Sequence, residues 1–312
     1  MKNFAIIGVG GYIAPRHLKA IRDSGNRLVA AADPKDSVGV LDSFSYDVRF
    51  FTETERLDRH LEKLKRGPEA DRVHYLSVCT PNYLHDAHAR LGMRIGADVI
   101  CEKPLVINPW NIDALQEIER ETGRRVWTVL QLRLHPQLIE LRSRLMKEPG
   151  RVHDVSLTYV TSRGNWYDVS WKGQLEKSGG IPANIGIHFF DLLGWLFGAE
   201  KKSAVHLAEP RRWAGALELE RARVKWFLSI ERGDVPQAAG KTTYRSITVD
   251  GHEVEFSEGF GDLHTRVYEE MLAGRGFGLE DARASIETVH RIRQSKVTAP
   301  DAEAHPLARG KA

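Results

Sequence analysis

Phe4-Ala5-Ile6-Ile7-Gly8-Val9-Gly10-Gly11-Tyr12-Ile13 is a short apolar run that breaks into a glycine-rich loop immediately before a helical pattern. The run reads as a buried strand, and Ala14, Leu18 and Ile21 then recur on one helical face, with Gly25 as the stop. Small residues at such a turn let backbone N–H groups approach a pyrophosphate, and the helix N-terminus favours its negative charge. Ile13 stands where the third glycine of the usual G-x-G-x-x-G pattern falls, which predicts a slightly wider strand-to-helix contact. The next strand, Leu28 to Ala32, ends on Asp33, at about the 20-residue distance expected of a ribose-binding acid. A carboxylate there accepts hydrogen bonds from the two ribose hydroxyls and repels a 2′-phosphate, so NAD is expected over NADP. The bland alternative makes Asp33 a cap for the turn at Pro34.

The alternation continues outward from this unit. Thr52 and Glu55 form a capping-box pattern ahead of Leu57, Leu61 and Leu64, and Gly67-Pro68 ends that helix. Val73 to Val78 is a strand, Leu84, His88 and Leu91 mark a helix face, and Ala97 to Cys101 is a strand again. Asn108-Pro109 starts a helix carrying Ile112, Leu115 and Ile118, closed by Gly123, and Val126 to Leu130 is the last strand of the set. Repeated βαβ units require right-handed crossovers, so residues 1–124 are expected to form a Rossmann-type, doubly wound parallel sheet, with 125–131 as its edge strand and link.

Near Glu148-Pro149-Gly150 the rhythm changes. Val152 to Val160, Ala204 to Leu207, Ala216 to Leu219, Val224 to Ile230, Tyr244 to Val249 and Glu253 to Phe256 read as strands without long helices between most of them, and Asp250-Gly251 is a hairpin turn. Residues 132–312 are therefore expected to form an α+β domain with a large, mainly antiparallel open sheet. One helix at Asn184 to Phe197 leads into that sheet. Terminal helices around Asp262 to Ala273 and Leu279 to Lys296 are expected to pack back toward the first domain, and the tail from Ala299 reads as loose.

Lys and Arg total 45 against 42 Asp and Glu, a net charge of +3, which does not mark a nucleic-acid or membrane surface. No apolar run reaches the roughly 20 residues that cross a bilayer, and the start does not read as a signal peptide, so a cytoplasmic protein is expected. Cys79 and Cys101 fall in apolar runs and read as reduced core thiols.

Chemistry concentrates at strand ends. Thr80-Pro81-Asn82 lies at the carboxyl edge, where open α/β sheets bind ligands; Asn82 suits a ribose contact and a helix cap equally well. Cys101-Glu102-Lys103-Pro104 ends the next strand, beside the expected nicotinamide. Lys103 there can donate to a substrate hydroxyl or act as a base, unless it is simply a surface lysine. Ser178-Gly179-Gly180-Ile181-Pro182-Ala183-Asn184-Ile185-Gly186-Ile187-His188-Phe189-Phe190-Asp191 is the second piece. On an α-helix Asn184 and His188 share a face, and Asp191 is close enough to orient the imidazole. A lone histidine among apolar residues is more often structural; this flanking set favours catalysis.

Taken together, these motifs resemble the Gfo/Idh/MocA oxidoreductases over almost the whole chain. The resemblance implies that Lys103 and His188 are the catalytic residues, with Asn184, where many members have aspartate, as a positioning group. It also implies cofactor contacts from Gly8, Gly10, Gly11, Tyr12, Ile13, Asp33, Thr80, Pro81, Asn82, His85, Glu102, Lys103, Trp171 and Lys172. A narrower likeness lies in Gly10 to His17, Gln131 to Pro136 and Arg163-Gly164-Asn165-Trp166-Tyr167. These stretches are similar to the UDP-N-acetylglucosaminuronate 3-dehydrogenases of bacterial surface-polysaccharide synthesis. That likeness implies oxidation of a UDP-sugar at C3 and a homotetramer. Such a substrate carries a diphosphate and a carboxylate, for which Arg163 and Lys172 are candidate cations, with Gln131, Asn165 and Tyr167 as hydrogen-bond partners. Arg163 reads equally as a solvated strand-end charge. Which of Lys103 and His188 is the base stays open, as does recycling of NAD by a 2-oxo acid; no metal is assigned. Rival readings are another sugar or cyclitol dehydrogenase and a non-catalytic NAD-binding regulator.

Overall fold

The computed structural model describes residues 1–236, 243–254, 256, 260–301 and 303–309. Two compact units emerge: residues 1–134 with 261–283, and residues 135–260 with those from 284 onward.

The first unit alternates β1 (Asn3–Ile7), α1 (Ala14–Asp23), β2 (Arg27–Ala32), β3 (Arg49–Phe51), α2 (Thr54–Arg66), β4 (Tyr75–Val78), α3 (His85–Arg94), β5 (Asp98–Cys101), α4 (Trp110–Thr122) and β6 (Val126–Thr128). Its six strands pair in parallel in the order β3-β2-β1-β4-β5-β6. The order reverses between β1 and β4, so a crevice opens outside the carboxyl ends of the central strands. The second unit holds α5 (Pro136–Leu145), β7 (His153–Thr161), the single turns α6 (Trp166–Val169) and α7 (Leu175–Ser178), α8 (Ile187–Phe197), β8 (Glu200–Ala208), β9 (Arg212–Leu219), β10 (Ala222–Ser229), β11 (Thr243–Val249) and β12 (His252–Glu253). Its sheet runs β12-β11-β7-β10-β9-β8; every pairing is antiparallel except β7 with β10. The chain then forms α9 (Leu263–Leu272), within the first unit, and α10 (Leu279–Gln294).

Strands covered on both faces need apolar residues throughout, and all five residues of β1 are buried. Against them α1 brings Ala14, Leu18 and Ile21, and α9 adds Val267, Tyr268 and Met271 to the same core. Gly123 closes α4 in the left-handed conformation, and Asp250-Gly251 turns β11 into β12 with positive φ at both positions. Cys79 and Cys101 are buried and unpaired, and burial pushes both thiols well above their ordinary pKa.

Several expectations are corrected. The capping box at Thr52 does not form: α2 opens at Thr54 behind Glu53, because β3 still pairs with β2 through Phe51. The buried face of α3 is His85, His88, Ala89, Gly92 and Met93, rather than one marked by Leu84 and Leu91. A Cβ on Gly92 would lie 2.5 Å from the Val99 side chain, so this helix approaches the sheet through a gap that hydropathy does not reveal. Helix α5 is an element beyond those expected, and Leu138, Leu141 and Leu145 supply its buried stripe. Of the strand expected over Glu253 to Phe256, Glu253 lies in β12, while residue 255 falls outside the described residues. The tail is not loose where it is described: His305 stacks on Phe227 at 5.5 Å and its Nε2 lies 2.9 Å from Thr158 Oγ1. Burial lowers the His305 pKa to about 4. One buried histidine in a polar stretch leaves no periodic trace.

Candidate functional site

The glycine loop is shaped by close approach. Gly8 has φ +86°, and a Cβ there would stand 2.7 Å from the Cys79 carbonyl carbon and oxygen, a separation no side chain tolerates. The Gly8 and Val9 amides both reach the Ala32 carbonyl, which ties the loop to the end of β2. Asp33 follows, nearly buried, with Oδ2 accepting from the Gly10 amide at 3.0 Å and Oδ1 from the Lys35 amide at 2.9 Å. The same carboxylate thus caps the turn after Pro34 and faces the loop, so both readings of Asp33 have a geometric basis. Tyr12 is exposed, and Ile13 is partly buried against the core beneath α1.

At the carboxyl ends of β4 and β5 two loops are joined by one histidine. His85 Nε2 lies 2.8 Å from the Thr80 carbonyl oxygen and Nδ1 lies 2.7 Å from that of Pro104. Burial holds the His85 pKa below its ordinary value against the pull of both carbonyls and of Glu102. Both carbonyl oxygens can only accept, so each is bonded only when the nitrogen facing it carries an N–H. With both nitrogens engaged, His85 braces the Thr80-Pro81-Asn82 turn against the Glu102-Lys103-Pro104 turn. Thr80 Oγ1 lies 3.0 Å from His88 Nδ1, and Asn82 is buried. The Lys103-Pro104 peptide is cis.

Glu102 is the centre of the first unit's buried polar groups. Its Oε1 takes His17 Nε2 at 2.9 Å and His264 Nε2 at 3.1 Å, while Oε2 accepts from the Lys103 amide at 3.1 Å. His17 Nδ1 lies 2.7 Å from the Tyr268 hydroxyl, which lies 2.7 Å from Ser77 Oγ. Sequence reasoning missed His17, Ser77, His264 and Tyr268. A signal was present: His17 shares the buried face of α1 with Ala14, Leu18 and Ile21, and His264 and Tyr268 share that of α9 with Val267 and Met271. His17, Glu102 and His264 also have the composition of a metal-ligand set, but each N···O separation is a hydrogen-bond length and the second carboxylate oxygen is already engaged.

Gln131 begins a short 3₁₀ turn in the first unit, and its buried Oε1 has no hydrogen-bond partner among the described residues. In the second unit the helix expected from Asn184 is not uniformly α. Pro182–Gly186 forms a π-helical turn before α8 begins at Ile187, so Asn184 and His188 do not follow plain α spacing. Such turns concentrate at functional sites. Asn184 Nδ2 donates to the Tyr167 hydroxyl at 2.8 Å, so two of the sequence candidates are in direct contact. Asp191 is buried and His188 half-buried on α8. Lys172 Nζ stands 3.8 Å above the Trp171 ring, a cation–π pair. Arg163 is partly buried, bonding through Nη1 to the Ser162 carbonyl, and Asn165 is exposed ahead of α6.

Comparison with known proteins converges on one group. Residues 2–130 match the family described as "Oxidoreductase family, NAD-binding Rossmann fold", and residues 147–225 match its "C-terminal alpha/beta domain". The chain belongs to the Gfo/Idh/MocA oxidoreductase family. Among solved structures of that family, the WlbA (WbpB) dehydrogenase of Thermus thermophilus is 53% identical over 98% of this chain and all of its own. The TM-score is 0.95 for its complex with NAD and α-ketoglutarate and 0.94 for that with NAD and UDP-GlcNAcA. The WlbA dehydrogenase of Bordetella pertussis, in complex with NADH and UDP-GlcNAcA, shares the fold at 21% identity and TM-score 0.77, over 94% of this chain and 95% of its own. Among curated family members, the inositol 2-dehydrogenase of Rhizobium meliloti is 26% identical over 66% of this chain, a match spanning 58% of that enzyme. No helix among the described residues is long and apolar enough to cross a membrane.

Proposed function

We propose that this chain is an NAD-dependent dehydrogenase that oxidises the C3 hydroxyl of UDP-N-acetylglucosaminuronate to the 3-keto sugar. The observation that carries this reading is the 53% identity, across 98% of the chain, to the Thermus thermophilus dehydrogenase whose complex holds NAD and UDP-GlcNAcA. The residues present suit a dinucleotide: the glycine-rich loop Gly8 to Gly11 at the end of β1, the Asp33 carboxylate at the end of β2, and the adjoining N-terminus of α1 favour a pyrophosphate and a ribose. Bound NAD supplies the hydride acceptor for the sugar C3–H.

In this reading Lys103 and His188 handle the hydroxyl proton, one removing it as the carbonyl forms and the other holding the oxygen. Gln131, Arg163, Asn165, Tyr167 and Asn184 line the sugar site, with the orphaned Gln131 Oε1 seeking a donor from it. Trp171 and Lys172 lie against the cofactor. The second unit, residues 135–260 with those from 284 onward rather than the whole of 132–312, serves as the substrate and assembly part of a cytoplasmic homotetramer, and the product serves surface-polysaccharide synthesis. The test is product formation: with NAD and UDP-N-acetylglucosaminuronate the enzyme yields a ketone two mass units lighter, with 2-oxoglutarate added in a parallel arm to regenerate NAD. Equal turnover of uncharged UDP-N-acetylglucosamine would sink the uronate assignment.

Asp33→Asn is expected to raise the Kd for NAD about tenfold or more, because hydrogen bonds to a charged group contribute about 1.5–3 kcal/mol. It should also narrow the preference over NADP, since the charge that repels a 2′-phosphate is gone. Isothermal titration with both cofactors checks this; an unchanged ratio of affinities would restrict Asp33 to capping its turn.

A further inference from the structure

The function so far leaves unused a chain of five buried groups: Ser77, Tyr268, His17, Glu102 and His264. We infer that His17, His264 and Tyr268 are positioning residues for Lys103, acting through the Glu102 carboxylate that they hold as an acceptor. The inference rests on the reading of Lys103 as catalytic.

Proton counting gives the chain a direction. Glu102 Oε2 accepts from the Lys103 amide, which has one proton and no lone pair to offer. Oε1 is shared by two imidazole nitrogens, and a carboxylate satisfies both only if each is an N–H. His17 is then a donor at Nε2, so as a neutral ring it accepts at Nδ1, and the Tyr268 hydroxyl must donate there. Ser77 Oγ can in turn donate to the Tyr268 oxygen. Every donor therefore runs toward Glu102, and three N–H groups converge on one carboxylate. One of the three is the main chain of the residue carrying the ammonium, so the network fixes where Lys103 begins. The partners come from β4, α9 and α1, and none lies in the same segment as Lys103.

Burial pushes the Glu102 carboxyl up, and the bonds from His17 and His264 outweigh it, holding its pKa well below the ordinary value. The titratable groups that face its charge are His17, His264, His85, Cys79, Cys101 and Tyr268. A carboxyl with a depressed pKa keeps its anchoring form above that pKa and loses it as pH falls through it. The network itself should therefore add no acid limb to kcat above the ordinary carboxyl range.

Removing a donor without removing bulk tests the inference. His264→Phe is expected to lower kcat about tenfold with the sugar KM changed less than twofold, and to bring an acid limb up toward neutrality. His264→Gln, which keeps an N–H donor, should restore most of both. Histidine ¹⁵N spectra should show His17 as an Nε2–H tautomer with a hydrogen-bonded Nδ1, and Tyr268→Phe should move the Nδ1 resonance while the Nε2–H tautomer stays. Wild-type kcat and pH profile in His264→Phe would overturn the inference, as would equal losses in the Phe and Gln variants that only follow lowered thermal stability. Should His264→Phe not fold, an Nδ1–H tautomer of His17 in the wild type, or an unmoved Nδ1 resonance in Tyr268→Phe, overturns it. Lys103→Met separates the two failures. If that variant still turns over, the reading of Lys103 fails and takes the inference with it; if it is dead while His264→Phe is unaffected, the inference alone fails.

Discussion

Lys103→Met should lower kcat about a thousandfold while leaving the Kd for NAD within about threefold, a loss inside the 10²–10⁴ range of a positioned acid or base. Methionine keeps the length and the apolar stem of lysine but has no proton to exchange, so packing at the half-buried end of β5 is little disturbed. The Asp33 and Gly10 contact lies beyond β2 and β1 whereas Lys103 follows β5, two strands further along the sheet, which is why cofactor affinity should survive. Steady-state kinetics with the uronate and a cofactor titration measure the two quantities separately. Small primary amines added to the variant should restore part of the rate if the lost group is a base. Turnover within fivefold of wild type would remove Lys103 from the chemistry and leave His188 to carry it.

How much of this could be read beforehand depends on whether a feature is local. Each βα unit of the first sheet announces itself within about twenty residues, as an apolar run, a turn and a helical stripe, and so the parallel sheet and the placing of Gly8, Asp33, Thr80 and Lys103 just beyond its strand ends were legible. The buried face of helix α3 is not legible, because Gly92 packs by lacking a side chain, which hydropathy does not register. The π-helical turn at Pro182–Gly186 has no sequence period of its own, so Asn184 and His188 were assigned plain helical spacing.

The polar network around Glu102 was the least legible part. Apart from the bond from the Lys103 amide to Glu102, its hydrogen bonds join residues 85, 162, 191 and 251 positions apart, so no window of sequence contains those partners together. What could be seen was a histidine on an otherwise apolar helix face, at His17 and again at His264. Such a residue must find a partner once buried, because an unsatisfied polar group costs about 1–3 kcal/mol. Two helix faces with that same debt, in a fold with a carboxylate at a ligand-edge strand end, are a usable hint for sequences of this type.

The glycine at the end of β1 should be the least replaceable residue of the cofactor loop. Gly8→Ala places a Cβ 2.7 Å from the Cys79 carbonyl carbon and 2.8 Å from the Thr80 nitrogen, both main-chain atoms of the segment that directly follows β4. Neither can swing aside as a flexible side chain would, so relief requires β1 and β4 to part just where Thr80 begins the second cofactor loop. The left-handed backbone at φ +86° adds its own cost of about 1–2 kcal/mol for any residue with a Cβ. With about 1–3 kcal/mol for overpacking, the expected destabilisation is about 2–5 kcal/mol, together with loss of measurable NAD binding. Gly25→Ala is the control that separates the two costs: its φ is +72°, yet a Cβ there meets nothing within 4 Å. It should lose only the conformational part and bind NAD normally. Denaturant unfolding of both variants gives the difference directly. If Gly8→Ala proved no less stable than Gly25→Ala, the contact between this turn and the Cys79 main chain would not be what confines position 8 to glycine.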